Sequence, residues 1–271
     1  MATYKNDIIL IAGSGDFAYE AANFLDNKKK LSYIILLSKN HKISKKFCEI
    51  STFFDIRDIE KVIKFIKQKL ITKLLIIGYV KLPQIKDIKL SFSSKLILSK
   101  SFFLNDINNQ SKILKKFIES KKLKLLSQKI MFDQYLVNYS DQIIKKEHKN
   151  ILKYVAKNSS VIKKIFSLNL SQSLVMDGDR IITIEDIFGT DNMINKFKNI
   201  NRNFKNLTFI KSTKKNQINE IDFPIIGDQT LELLIKFNFK AICLLNKNII
   251  IANKDTFIEK IKKSDLSLIV I

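Results

Sequence analysis

Most of the side chains able to do chemistry lie in short blocks set off by glycine or proline. Glu185-Asp-Ile-Phe-Gly-Thr-Asp191 places carboxylates on either side of Gly189, where a backbone without a side chain can approach a ligand closely. Glu185 and Asp191 could face a site in which Mg²⁺ bridges carboxylates and substrate phosphates. Equally, Thr190 and Asp191 could do no more than cap the helix that follows at Asn192. Lys211-Ser-Thr-Lys214 precedes Asp222-Phe-Pro-Ile-Ile-Gly227, so Asp222 follows two lysines and is a candidate metal ligand or general base. In the first half, Gly13-Ser-Gly-Asp-Phe-Ala18 fits GxGxxG/A between a predicted strand and helix. Gly13 and Gly15 could bring backbone N–H groups against phosphate. Asp16 would set a carboxylate beside that phosphate, so a tight turn without a ligand is an equal reading. Gly78-Tyr-Val-Lys-Leu-Pro83 follows another predicted strand, and its Lys81 could meet a phosphate or stay in solvent. His41 and His148 sit among polar lysine-rich residues, have no matched nucleophile, and are expected on the surface, which argues against a triad hydrolase.

The composition narrows the classes further. The 271 residues carry a formal net charge of +22, and of 48 basic residues only Arg57, Arg180 and Arg202 are arginine. That bias, with abundant Ile, Asn and Phe, fits AT-rich codon usage and a lysine-coated surface better than a nucleic-acid face. No nucleic-acid-binding signature organises the lysines, and no nucleic-acid partner is expected. A hydrophobic fraction of 46% excludes a wholly disordered chain. No apolar stretch reaches a spanning length without a charge, and Ile8–Ala12 is too short for a signal peptide's apolar run. Cys48 and Cys243 are far apart without a CxxC partner. They are expected as two buried thiols of a cytoplasmic protein, with neither a disulfide framework nor a zinc site.

Those blocks need elements to hold them. Continuous apolar runs predict buried parallel strands over 8–12, 33–37 and 74–77. They alternate with helices over 17–25 and from Asp58, where Ile59, Val62, Ile63, Ile66 and Leu70 keep helical spacing. Ile113, Leu114, Phe117 and Ile118 mark a further helix. The fold class is α/β in two domains: a Rossmann-like parallel domain over 1–132, a polar linker over 133–148, and a mixed α/β domain over 149–271. The second domain is expected to begin with a helix at 149–156. Strands at 173–176 and 180–184 flank Asp177-Gly178 as a hairpin. A strand over 207–211 and a capped helix over 231–237 follow. Strands at 241–245 and 249–251 are expected to form a second hairpin around Asn246-Lys247-Asn248, before a helix at 257–261 and a strand at 266–271.

Taken in order, IAGSGDFA, GYVKLP, SLNLSQSLVMDGDRIITIED, FGTDNMI, KSTKKNQ and DFPIIG resemble the LpxI-type UDP-2,3-diacylglucosamine pyrophosphatases along nearly the whole chain. The resemblance implies hydrolysis of a UDP-linked diacylated sugar lipid to UMP and lipid X in lipid A synthesis. It further implies Mg²⁺ dependence, two domains with the lipid between them, and a cytoplasmic protein in peripheral contact with the inner membrane. Residue by residue, it makes Asp222 the strongest catalytic candidate, with Asp191, Lys211 and Lys214. Asp222, Asp191 and Glu185 become metal ligands. Gln172, Gly189 and Thr190 become substrate contacts, beside the Gly13, Gly15, Gly78 and Lys81 that the loops themselves offer. Glu220 stands where the family carries arginine, Ile218 where it carries an acid, and Phe188 where Glu precedes Gly-Thr-Asp. Those departures leave a catalytically degraded binding protein open. The GSG loop alone leaves open a nucleotide-cofactor oxidoreductase.

Overall fold

The computed structural model of the chain describes residues 7–79, 107–168, 171–199, 204–213 and 218–271. The chain divides into two compact units, one of Met1–Met131 with Ile218–Asp222 and one of Phe132–Gln217 with Phe223–Ile271.

The first unit is built on β1 (Ile8–Ala12), β2 (Leu31–Leu36), β3 (Ser51–Phe53), β4 (Lys73–Ile77) and β5 (Lys124–Leu125). They pair in parallel in the order β3-β2-β1-β4-β5. Every residue of β1 is buried, as its unbroken apolar run requires, so both faces of the sheet must be covered by helices. On one face Ile9, Ile11, Ile35, Leu74 and Ile76 meet two helices. These are α3 (Ile59–Gln68), through Val62, Ile63 and Ile66, and α4 (Ile107–Ser120), through Ile113, Phe117 and Ile118. Helix α1 (Asp16–Asn27) buries Ala18, Ala21 and Ala22, small residues that let it lie close to β2 and β4. A short helix α2 (His41–Lys46) follows β2 and is capped by the Asn40 side chain. Strand order reverses between β1 and β4, so the Gly13–Gly15 and Gly78 loops leave adjacent carboxyl ends at the topological switch point.

The second unit has a mixed sheet ordered β12-β10-β8-β6-β7. Here β6 (Ser173–Asp177) and β7 (Arg180–Ile184) form the expected hairpin, with Gly178 at φ 58° in its turn. Strand β8 (Leu207–Ser212) runs antiparallel to β6, whereas β10 (Ala241–Leu245) is parallel to both β8 and β12 (Ser267–Val270). Alternate residues separate onto two faces, as strand geometry demands. Leu174, Met176, Ile210, Cys243 and Ile269 pack under helices α5 (Lys149–Lys157) and α6 (Ser159–Ser167), and Val175, Phe209, Ile242 and Leu268 face the opposite layer. That layer holds α7 (Thr190–Asn195), α8 (Asp228–Lys236) and α9 (Lys254–Lys263).

Four expectations are corrected here. The second hairpin does not form: β10 lies between two parallel neighbours, so the next strand cannot fold back beside it. Instead β11 (Ile250–Ile251) pairs in parallel with β9 (Ile225–Ile226) in a separate ribbon. Cys48 is exposed, and only Cys243 is buried, where desolvation drives its thiol pKa far up. Thr190 does not cap α7, whose N-cap is Gly189 without a side-chain bond. His148 is buried at 4% exposure, its Nδ1 2.9 Å from Ser267 Oγ. The stretch expected as a linker packs on the second unit, with Val137 fully buried, Leu136 bridged to Ile250 and Ile143 bridged to Leu268. No helix among the described residues is long and apolar enough to cross a membrane.

Burial lowers the pKa of His148 below its ordinary 6.5, against the opposing pull of Asp265 and Glu147. The unfolded chain therefore binds more protons than the fold below about pH 6.5, and stability must fall as pH falls through that window. The slope contributed is bounded at about 1.4 kcal/mol per pH unit. Denaturant unfolding of the wild type between pH 7.5 and 5.5 should show this loss, and His148→Asn should flatten it. An unchanged slope in the variant would assign the effect to other groups.

Candidate functional site

In the second unit, the start of β6 and the end of β8 bring four of the expected residues together. Ser173 and Lys211 are paired across the strands, and Gln172 accepts the Ser212 amide at 2.9 Å. Lys211 is 4% exposed, and its Nζ donates to Ser173 Oγ at 3.3 Å. Thr190 Oγ1 donates to Glu185 Oε1 at 2.7 Å, so at the 3.3 Å Ser173–Thr190 contact it is Ser173 that donates. All protons in this chain thus point one way, from the Lys211 ammonium through two hydroxyls to the Glu185 carboxylate. The Gln172 amide donates to the other Glu185 oxygen at 3.2 Å.

Two donors in this cluster lack acceptors. Only one of the three Lys211 N–H bonds has a partner among the described residues, and the Gln172 Nε2 is buried with none. A buried ammonium and a buried amide left in this state are costly, and an incoming anion would satisfy both. Ser171 Oγ donates to Ser173 O at 2.6 Å and fixes the backbone there. Sequence reasoning missed Ser173 and Ser171, since a hydroxyl inside a strand leaves no periodic signal.

The other expected residues lie elsewhere or are bound differently. Asp191, in the first turn of α7, accepts Thr230 Oγ1 on Oδ1 at 2.6 Å, and its Oδ2 makes no hydrogen bond among the described residues. Gly189 has φ 89° with open space where a Cβ would stand. Beside it Ile187 and Phe188 are 83% and 68% exposed. The neighbouring Asp186 is held below the usual carboxylate range by its hydrogen bond from Lys196. Asp222 belongs with the first unit. Among the described residues, the His, Cys, Asp and Glu side chains close enough to share a metal ion are Glu147, His148 and Asp265, none of them expected. Lys81 and Lys214 lie outside the described residues.

In the first unit the two glycine loops interlock. Gly13 N donates to Ile77 O at 2.8 Å, and Ser14 and Tyr79 exchange backbone hydrogen bonds at 2.8 and 3.0 Å. Ser14 Oγ also donates to Tyr79 O at 3.0 Å. The first two amides of the GSG loop therefore serve the fold. Asp16 is paired with Lys42 at 2.7 Å, and Gly15 caps α1 with nothing near its missing Cβ.

A parallel sheet with interlocked glycine loops at its switch point, and a mixed sheet that keeps buried donors of Lys211 and Gln172 unpaired among the described residues, define a two-unit α/β protein. The family models described as the LpxI N-terminal domain and the LpxI C-terminal domain match residues 7–135 and 140–269. The chain belongs to the LpxI family. No curated protein matches it.

Proposed function

We propose that the protein is an enzyme that hydrolyses UDP-2,3-diacylglucosamine, the substrate class that goes with LpxI domains and relates the family to lipid A biosynthesis. The function written from the sequence is corrected in scope. Matches to LpxI domains over both halves overturn the nucleotide-cofactor oxidoreductase. They support a hydrolase of this lipid without fixing a metal requirement or a product pair.

The observation that carries the reading is the pair of unmet donors at Lys211 and Gln172. A diphosphate supplies acceptors for both, and charge developing on a phosphate oxygen in the transition state would be stabilised by an ammonium already in place. The Thr190–Glu185 and Ser173–Lys211 bonds hold that ammonium without neutralising it by direct contact. Asp222 is the acid proposed to orient the attacking water, on the resemblance of its Asp-Phe-Pro block.

Magnesium belongs to the same proposal as a resident ion. The donor set suits it in kind, since Mg²⁺ binds through one or two carboxylates together with substrate phosphates, and Asp191 keeps an unbonded oxygen. Asp191 would hold it through that oxygen; both Glu185 oxygens are already engaged. Bound there, the ion would neutralise phosphate charge. Contact with the lipid surface is proposed through exposed side chains such as Ile187 and Phe188.

Purified protein incubated with UDP-2,3-diacylglucosamine, with Mg²⁺ or with EDTA, should consume the lipid, and mass spectrometry identifies the bond cut from the products. Hydrolysis that persists in EDTA would remove the metal from the proposal. Substrate bound but never consumed would leave a binding protein.

A further inference from the structure

Ile218–Asp222 is a strap: a segment of the C-terminal half built into the first unit, with Phe223 already back in the second. Three fastenings hold it. The amide of Gln128 donates to Asn219 O at 2.9 Å, and Gln128 is itself pinned by its buried side chain to Ile76 O of β4 at 2.8 Å. Ile221 packs against the core of the first unit. Lys115 on α4 donates to Glu220 Oε1 at 2.9 Å, with both side chains largely covered. Inside the strap the amides of Ile221 and Asp222 both donate to Ile218 O, at 3.0 and 2.9 Å, closing a tight turn that fixes the backbone of Asp222.

We propose that the Lys115–Glu220 ion pair is a positioning device for Asp222, locking the strap onto α4 so that the carboxylate is presented in one place. This rests on Asp222 acting in the hydrolysis proposed above. The pair suits the role on three counts. It is charge-assisted and better shielded than most surface pairs, so it is worth more than they are. The hydrogen bond that Lys115 donates to Glu220 also raises the lysine's pKa, which keeps the ammonium charged through the working range. Finally, Glu220 lies two residues from Asp222, within the same closed turn, so rotation of the strap at Glu220 is passed to the acid. The acid at position 220, which departs from the family's arginine, thereby has a partner of its own.

The test is a charge swap with two readouts. Glu220→Lys and Lys115→Glu should each lower kcat for UDP-2,3-diacylglucosamine by about tenfold or more with KM nearly unchanged, the cost expected of a misplaced catalytic group. Each should also speed hydrogen exchange at the Ile221 and Asp222 amides, which needs no substrate. The double variant should restore both. Single variants with wild-type kcat, or unaltered exchange, or a double variant that restores neither, would overturn the proposal while leaving the hydrolase intact. A wild-type protein without turnover would end the hydrolase reading and this one with it.

Discussion

Lys211→Met is expected to lower kcat/KM for UDP-2,3-diacylglucosamine by about 10²–10³-fold, the usual cost of removing one preorganised donor from a developing oxyanion. The same change should leave the protein as stable as the wild type or more stable by about 1 kcal/mol. The two signs follow from one fact. Lys211 is 4% exposed, and its ammonium is met, among the described residues, only by the neutral Ser173 hydroxyl at 3.3 Å. An isolated hydroxyl does not repay the desolvation of a charge, so the folded state carries a cost that methionine, of similar length and apolar, removes. Ser173 keeps its contact with Thr190 in the variant, so no new orphan is made. Steady-state kinetics and denaturant unfolding on the same preparation decide the matter. A variant that is clearly less stable yet fully active would make Lys211 a structural residue of the sheet.

The scaffold around that lysine was legible in the sequence where local pattern and tertiary role agree. Ile8–Ala12 and Leu74–Ile77 have no polar position, and both became central strands buried on both faces. Asp177-Gly178 named its hairpin because the turn needs the left-handed residue that Gly178 supplies. Legibility failed where the deciding contact is distant. Strands β3 and β5 are short edge strands with too few residues to show a period. Nothing near Ile218 signals that five residues leave their own unit for the other. His148, in a stretch rich in charged residues, is buried with its ring against the Ser267 hydroxyl 119 positions away.

The site was legible in part. Glu185, Thr190, Gln172 and Lys211 do gather in the second unit, though joined by Ser173, which had no signal. Thr190 resembled a helix cap because a threonine after glycine at a helix start usually is one. Its hydroxyl is taken by Glu185 instead, a bond that depends on how β7 delivers that acid to the loop.

Gly78→Ala should cost about 2–5 kcal/mol of stability in the first unit, the combined range for a left-handed non-glycine residue and for overpacking. Gly78 has φ 92°, and a Cβ built on it would stand 2.6 Å from Ser14 O and 3.0 Å from Gly13 C. Both obstacles are backbone, and that backbone is tied by the reciprocal Ser14–Tyr79 hydrogen bonds, so it cannot yield without breaking them. Gly15 is the control. Its φ of 106° and ψ of 154° are also a conformation reserved for glycine, but nothing lies within 4 Å of its missing Cβ. Gly15→Ala should therefore cost only the strain, about 1–3 kcal/mol. Because a chain of two units need not unfold in a single step, native-state hydrogen exchange at β1 and β4 is a better measure than one global transition. Protection there should fall further in Gly78→Ala than in Gly15→Ala. The reverse order would mean that the loops do not interlock and that the GSG amides are free for a phosphate, as the motif alone suggests. The expected order instead makes Gly78 the residue that closes the switch point between β1 and β4, with the glycine pattern serving the fold before any ligand.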